Sequence, residues 1–118
     1  MNPVKKHNAI TNALAAVYGQ MFPGGKQEEH ILTTELYELL GRRIQKKIVN
    51  QALCCVLSSI ILFSAKCKGQ VMEIMNRRFQ TQLSLADQDA IVQFAVAHNS
   101  LAALFLKNNN TQWKSQEK

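Results

Sequence analysis

Apolar positions along this chain recur at helical rather than strand spacing, and they change in texture from one stretch to the next. Residues 48–65, IVNQALCCVLSSIILFSA, carry no charge and are apolar on nearly every side. That pattern predicts a helix buried all round, at the centre of a bundle or across a subunit interface. Upstream, Val4, Ile10, Leu14, Val17 and Met21 form one narrow stripe that predicts a first helix over residues 4–22. Phe22-Pro23-Gly24-Gly25 ends it, because proline and paired glycines do not continue a helix. Thr33 or Thr34 then reads as an N-cap, with Glu35 and Glu38 in the first turn where the helix dipole favours acids. Leu36, Leu40, Ile44 and Ile48 repeat as one stripe, with a break expected near Gly41.

Lys66-Cys67-Lys68-Gly69 interrupts the pattern, and Val71, Met72, Met75 and Phe79 make a short stripe beyond it. Leu83-Ser84-Leu85-Ala86-Asp87 predicts a helix start, with Ser84 as N-cap and Asp87 at the third helical position. From there Ile91, Phe94, Ala95, His98, Leu101, Ala102 and Phe105 line one face of a single helix, and Val92, Val96 and Leu104 a neighbouring face. That helix is expected to be buried on two sides, with His98 as a core or interface histidine. Strand signal is nearly absent. The expected fold is all-α: a small helical bundle with a long central apolar helix, paired as an intertwined dimer. Residues 1–32 read as an N-terminal helix and Pro-Gly loop extension, 33–107 as the helical core, and 108–118 as a flexible tail.

A chain of 118 residues suffices for one core. Charge adds a second pattern. The eight cations Arg42, Arg43, Lys46, Lys47, Lys66, Lys68, Arg77 and Arg78 face a single acid, Glu73, between residues 42 and 78. A cationic middle suits an anionic partner: nucleic acid, an acidic protein or anionic lipid. Arg42, Arg43, Lys46 and Lys47 are the first candidates for phosphate contact, followed by Arg77 and Arg78.

Little else in the chain carries chemistry. Cys54 and Cys55 are adjacent, so on a helix they point about 100° apart and do not hold one ion. With Cys67 they read as buried, reduced thiols of a cytoplasmic protein. The N-terminus lacks the apolar core of a signal peptide. Residues 48–65 sit near the lower length limit for a membrane span, and Asn50, Gln51, Ser58, Ser59 and Ser64 dilute them, so a soluble helix is expected. The acids read as caps and solubilising charges, His7 and His30 have no partners at useful spacing, Gly24-Gly25-Lys26 lacks the spacing of a phosphate-binding loop, and Trp113 stands alone. No enzyme, metal or cofactor is expected of this chain.

The core nevertheless resembles the FlhD family, the smaller subunit of the flagellar master activator, with relatives carried by conjugative elements. The resemblance covers residues 50–107. It rests on the apolar helix Ala52 to Ala65, on Lys68 and Met72 as K-x-x-x-M, and on LSL followed by Asn99, Leu101 and Phe105 as N-x-L-x-x-x-F. It implies a homodimer of interlocked helices joined to an FlhC-like subunit, which carries a zinc ion and much of the DNA contact. Such a complex binds promoter DNA and recruits RNA polymerase as a transcription activator. The self-association core would be Leu53, Val56, Leu57, Ile60, Ile61, Phe63, Ile91, Phe94, Leu101 and Phe105. The alternative is a helical protein-interaction module without DNA, of chaperone, antitoxin or immunity type.

Overall fold

The computed structural model describes residues 15–63 and 65–107, except for the side chains of residues 106 and 107. Every regular element among them is helical: α1 (its described part residues 15–21), α2 (Gly25–Leu39), α3 (Lys46–Ile61), α4 (Lys68–Phe79), α5 (Leu85–His98) and α6 (Ser100–Lys107). The expectations for His7, for Trp113 and for a flexible tail fall outside the described residues.

Helix α3 is the axis of the bundle. It packs against α2, α4, α5 and α6, while α5 also packs against α4 and α6. Val49, Ala52, Leu53, Cys55, Val56, Leu57, Ser59 and Ile60 are all buried, so three of its sides face other helices of the same chain. Burial inside α3 forces its hydroxyls inward as well: Ser59 Oγ donates to the Cys55 carbonyl at 2.6 Å, satisfying itself within the helix. The buried part of the apolar run is therefore covered by other helices of its own chain. The run is also shorter than its sequence suggests. The helix ends at Ile61, and Phe63, largely exposed, lies past its end. No helix among the described residues is long and apolar enough to cross a membrane.

The connection from α1 to α2 is tighter than the Pro-Gly-Gly sequence implies. Phe22 to Gly25 form a turn closed by Gly25 N–H donating to the Phe22 carbonyl at 2.9 Å, with Pro23 at its second position. Glu28 Oε1 accepts from the Gly24 N–H at 2.7 Å, so the helix restarts at once. Gly25 has φ of +75°, a conformation that side chains resist. Thr33 and Thr34 consequently lie inside α2, not at its start. The boundary expected between residues 32 and 33 falls within this helix, and Met21, Phe22 and Leu32 belong to the same core as α3.

At the other end of α2 the expected break near Gly41 is present. Gly41 N–H donates to the Glu38 carbonyl at 2.9 Å and Arg42 N–H to the Tyr37 carbonyl at 3.0 Å, the paired bonds of a Schellman turn. Gly41 (φ 74°) and Arg42 (φ 58°) both take left-handed backbone. The stripe Leu36, Leu40, Ile44, Ile48 is thus divided between α2, this turn and α3.

Helices α4 and α5 are opened by polar side chains. Gln70 Oε1 accepts from the Lys66 N–H at 2.6 Å, and Ser84 Oγ accepts from the Asp87 N–H at 3.1 Å as its sequence predicts. Gln88 is wholly buried, and its Nε2 donates to Asn76 Oδ1 at 2.9 Å and to the Leu83 carbonyl at 3.1 Å, joining α5 to α4. Lys68 and Asp89 form a further ion pair between these helices. The single long helix expected after Ser84 is broken at Asn99, whose extended backbone separates α5 from α6. Ile91, Val92, Phe94 and Ala95 are buried, as a helix covered on two sides requires. His98 is exposed and lies outside the core: its ring stacks on Phe94 at 4.1 Å between centroids, and Nδ1 lies 2.9 Å from the Phe94 carbonyl.

Candidate nucleic-acid interface

The Schellman turn sets the geometry of the cationic segment. Its left-handed pair reverses the chain, so Arg42 folds back on α2 and Arg43 reaches away from it. Arg42 Nε and the terminal guanidinium nitrogen Nη2 donate to Glu38 at 2.7 and 2.9 Å. Arg43 donates to Asp87 Oδ1 on α5 at 2.9 Å. Gln45 then caps α3 with extended backbone and no side-chain bond, and Lys46 and Lys47 occupy the first turn, which holds no acid. Lys46 Nζ sits 5.9 Å from the centre of the Tyr37 ring, while Lys47 is exposed.

Lys46 and Lys47 form one wall of an open groove of about 390 Å³ between α2 and α3, lined also by Glu29, His30, Thr33 and Asn50. Glu29, Thr33 and Asn50 of this lining belong to a polar cluster with Tyr18. Tyr18 Oη donates to Glu29 Oε1 at 2.6 Å, and Asn50 Nδ2 donates to Glu29 Oε2 at 2.9 Å and to Thr33 Oγ1 at 3.0 Å. The Tyr18 bond, with help from Asn50 and nearby Lys26, holds the Glu29 carboxyl below the usual carboxylate range against the opposing effect of burial. Burial, then the bond to Glu29, pushes the Tyr18 phenol up to about 12. Cys54, whose Sγ lies 4.0 Å from Glu29 Oε2, is pushed up to about 11 by burial and by that carboxylate. At neutral pH the groove thus holds an ionised acid, and the phenol and thiol that adjoin it stay protonated. The thiol is held in its unreactive form, and the cations stand at the rim.

The six cations predicted to meet phosphate are therefore not equivalent. Arg42 and Arg43 each carry an acid partner, and Arg77 is paired with Glu73 on its own helix. Arg78 lies 5.5 Å from the Phe79 ring centre, on α4. Lys46 and Lys47 share one groove. Of the residues expected at a subunit interface, Leu53, Val56, Leu57, Ile60, Ile91 and Phe94 are buried within one chain, because α3 and α5 pack on each other. Ile61 and Leu101 are half-buried, and Phe63 and Phe105 are exposed.

Three residues that carry much of this arrangement are silent in a sequence reading. Glu29 looks like one more solubilising acid, Asn50 a diluent of an apolar run, and His30 a loop histidine. Asn50 and Cys54, four apart on the apolar helix, are the available sign that one edge of α3 meets a polar neighbour. Among the described residues no three His, Cys, Asp or Glu side chains are grouped to hold a metal ion. Comparison with protein-family models, with curated proteins and with solved structures found no match to this chain.

Proposed function

We propose that this chain is a helical subunit of a DNA-binding transcription activator, and that Lys46 and Lys47 meet the phosphate backbone at the groove between α2 and α3. The observation that carries this reading is the position of these two cations. A positive charge in the first turn of a helix opposes the helix dipole and costs local stability. Here two stand there together, with no acid in the turn to offset them. Their usefulness is therefore to something outside the helix, and the exposed His30 beside them adds a donor for a phosphate oxygen. Arg43 is a secondary contact, since it must exchange Asp87 for phosphate. The resemblance of residues 50–107 to the FlhD family points the same way, with an FlhC-like subunit reading the bases and RNA polymerase recruited by the assembly.

The protein-interaction module without DNA draws on a different observation: Leu39, Leu62, Phe63, Leu85 and Leu104 are at least half exposed. Such residues suit contact with a partner chain.

Fluorescence anisotropy of labelled duplex DNA, titrated across salt with the chain alone and with co-expressed neighbouring proteins, tests the first reading. Binding should weaken with salt, and Lys46→Glu/Lys47→Glu should flatten the log–log slope by about 0.9 for each phosphate no longer neutralised. Absence of binding in every combination, or an unchanged slope, would turn the assignment to the protein-interaction module.

A further inference from the structure

We propose that α1 and α6 form one latch, opened and closed together through the side chain of Asn99. The backbone explains why a latch forms here. Helix α1 stops just before Pro23, which has no N–H to give. The next two donors are also diverted, Gly24 N–H to Glu28 Oε1 and Gly25 N–H to the Phe22 carbonyl. The carbonyls of Gln20 and Met21 therefore lack the partners that a continuing helix would provide. Asn99 supplies both from the far end of the chain: its Nδ2 donates to Gln20 O at 3.0 Å and to Met21 O at 2.8 Å. The same side chain opens α6, with Oδ1 accepting from the Ala102 N–H at 2.8 Å.

One amide thus closes the C-terminal end of α1 and the N-terminal end of α6. It is 6% exposed, so none of its bonds is readily replaced by water while the joint is shut. Met21, Phe22 and Ala102 bury apolar surface in the same core, so the polar and apolar parts of the joint separate together. A surface pocket of about 260 Å³, lined by Gln20, Pro23, Glu28, His98, Asn99, Ser100 and Leu101, lies against the joint and brings water to its edge. If α1 lifts, the Asn99 amide loses two acceptors and turns to solvent, taking the α6 cap with it. Any partner that captures either helix therefore releases the other and uncovers Met21 and Phe22.

Native-state hydrogen exchange on the full chain, read by mass spectrometry across sub-denaturing urea, tests the latch. The Phe22 amide, bonded to the Tyr18 carbonyl, reports α1, and the Ala102 and Ala103 amides, bonded to Asn99, report α6. In the wild-type chain these amides should merge into one opening, below the free energy of opening for the centre of α3. Phe22→Leu loosens α1 without touching Asn99, and should speed Phe22-position, Ala102 and Ala103 exchange by one common factor of up to about tenfold. Asn99→Asp keeps the acceptor for Ala102 but removes the donor to α1, and α6 should still lose protection with α1. Separate openings of α1 and α6 in the wild type, or α6 protection unchanged in either variant, would overturn the latch. So would α3 amides accelerating in step with both, since that is unfolding of the whole bundle.

Discussion

Arg43 and Asp87 stand 44 positions apart in sequence and meet at 2.9 Å, joining the α2–α3 turn to the first turn of α5. The Arg43 guanidinium is the main reason that the Asp87 carboxyl stays below its ordinary range; the Ser84 hydroxyl adds to it and burial opposes it. A carboxyl depressed in the fold contributes stability that is fully present above its unfolded value of about 3.9 and is lost as pH falls through the folded value. Arg43→Met should therefore lower the urea midpoint at neutral pH and leave it nearly unchanged in acid where Asp87 is protonated in the folded protein. Equal losses at both pH values would show that the pair contributes nothing through charge.

Ser84 gives a second check on the same corner. Its hydroxyl satisfies the Asp87 N–H, one of the orphan donors of a helix start. Ser84→Ala should cost about 1 kcal/mol by thermal unfolding, and Ser84→Asn much less. This cap is legible in the sequence because it is a local device: a hydroxyl, a following acid and flanking leucines determine it within four residues. The break at Gly41 is legible for the same reason, since a left-handed C′ position asks for glycine. Devices that depend on residues far away in the chain are not. Asn99 looks like an interior helical position, because nothing near it announces that its partners are the carbonyls of Gln20 and Met21. His98 reads as a core or interface residue since every third or fourth neighbour is apolar, yet it lies at the surface against the Phe94 ring. Thr33 resembles the cap of α2, because it is a threonine before glutamates; Glu28 has already capped the helix start nine residues earlier, at Gly24, by accepting the Gly24 N–H.

The site residues divide along the same line. The clustering of Arg42, Arg43, Lys46 and Lys47 is evident from composition alone, but not which of them carry acid partners. That depends on Glu38 one turn back and Asp87 on another helix. Lys46→Glu/Lys47→Glu should raise thermal stability, by about 0.3–1 kcal/mol for each reversed charge, because acids suit a helix N-terminus. The same variant should bind DNA more weakly. A gain in stability together with weaker binding is the signature of residues kept for contact and not for folding. A decline in both would mean that the lysines serve the fold.

The apolar run of α3 is the strongest test of how this chain folds. Leu57 is 1% exposed and Phe63 is 65% exposed, although both belong to the same uncharged stretch. Leu57→Ala should cost about 3–5 kcal/mol, and Phe63→Ser less than about 0.5. The urea midpoint of the wild type should not move with protein concentration, since the core closes within one chain. A midpoint that rises with concentration would instead place a second copy in the folded state.

The Tyr18–Glu29 pair makes a prediction at the opposite end of the pH scale. Burial comes first and the Glu29 bond second in raising the phenol to about 12, so its ionisation should lie well above the ordinary value of about 10. The protein has two tyrosines, and a Tyr37→Phe background isolates Tyr18 for titration by ultraviolet absorbance. Glu29→Gln should bring the Tyr18 midpoint down only part of the way, because the charge is removed and the burial remains. A group favoured neutral in the fold contributes stability that is complete below its unfolded value and is lost as pH rises through its folded one. Glu29, held low, behaves oppositely: its contribution is complete above the unfolded carboxylate value and is lost as pH falls through the folded one. The Tyr18–Glu29 cluster beside the groove should thus be most stable across the neutral range and loosen at both extremes. A Tyr18 midpoint near 10 in the otherwise native protein would mean that the pair does not form in solution, and with it would go the fixed position of Glu29 in the groove it shares with Lys46 and Lys47.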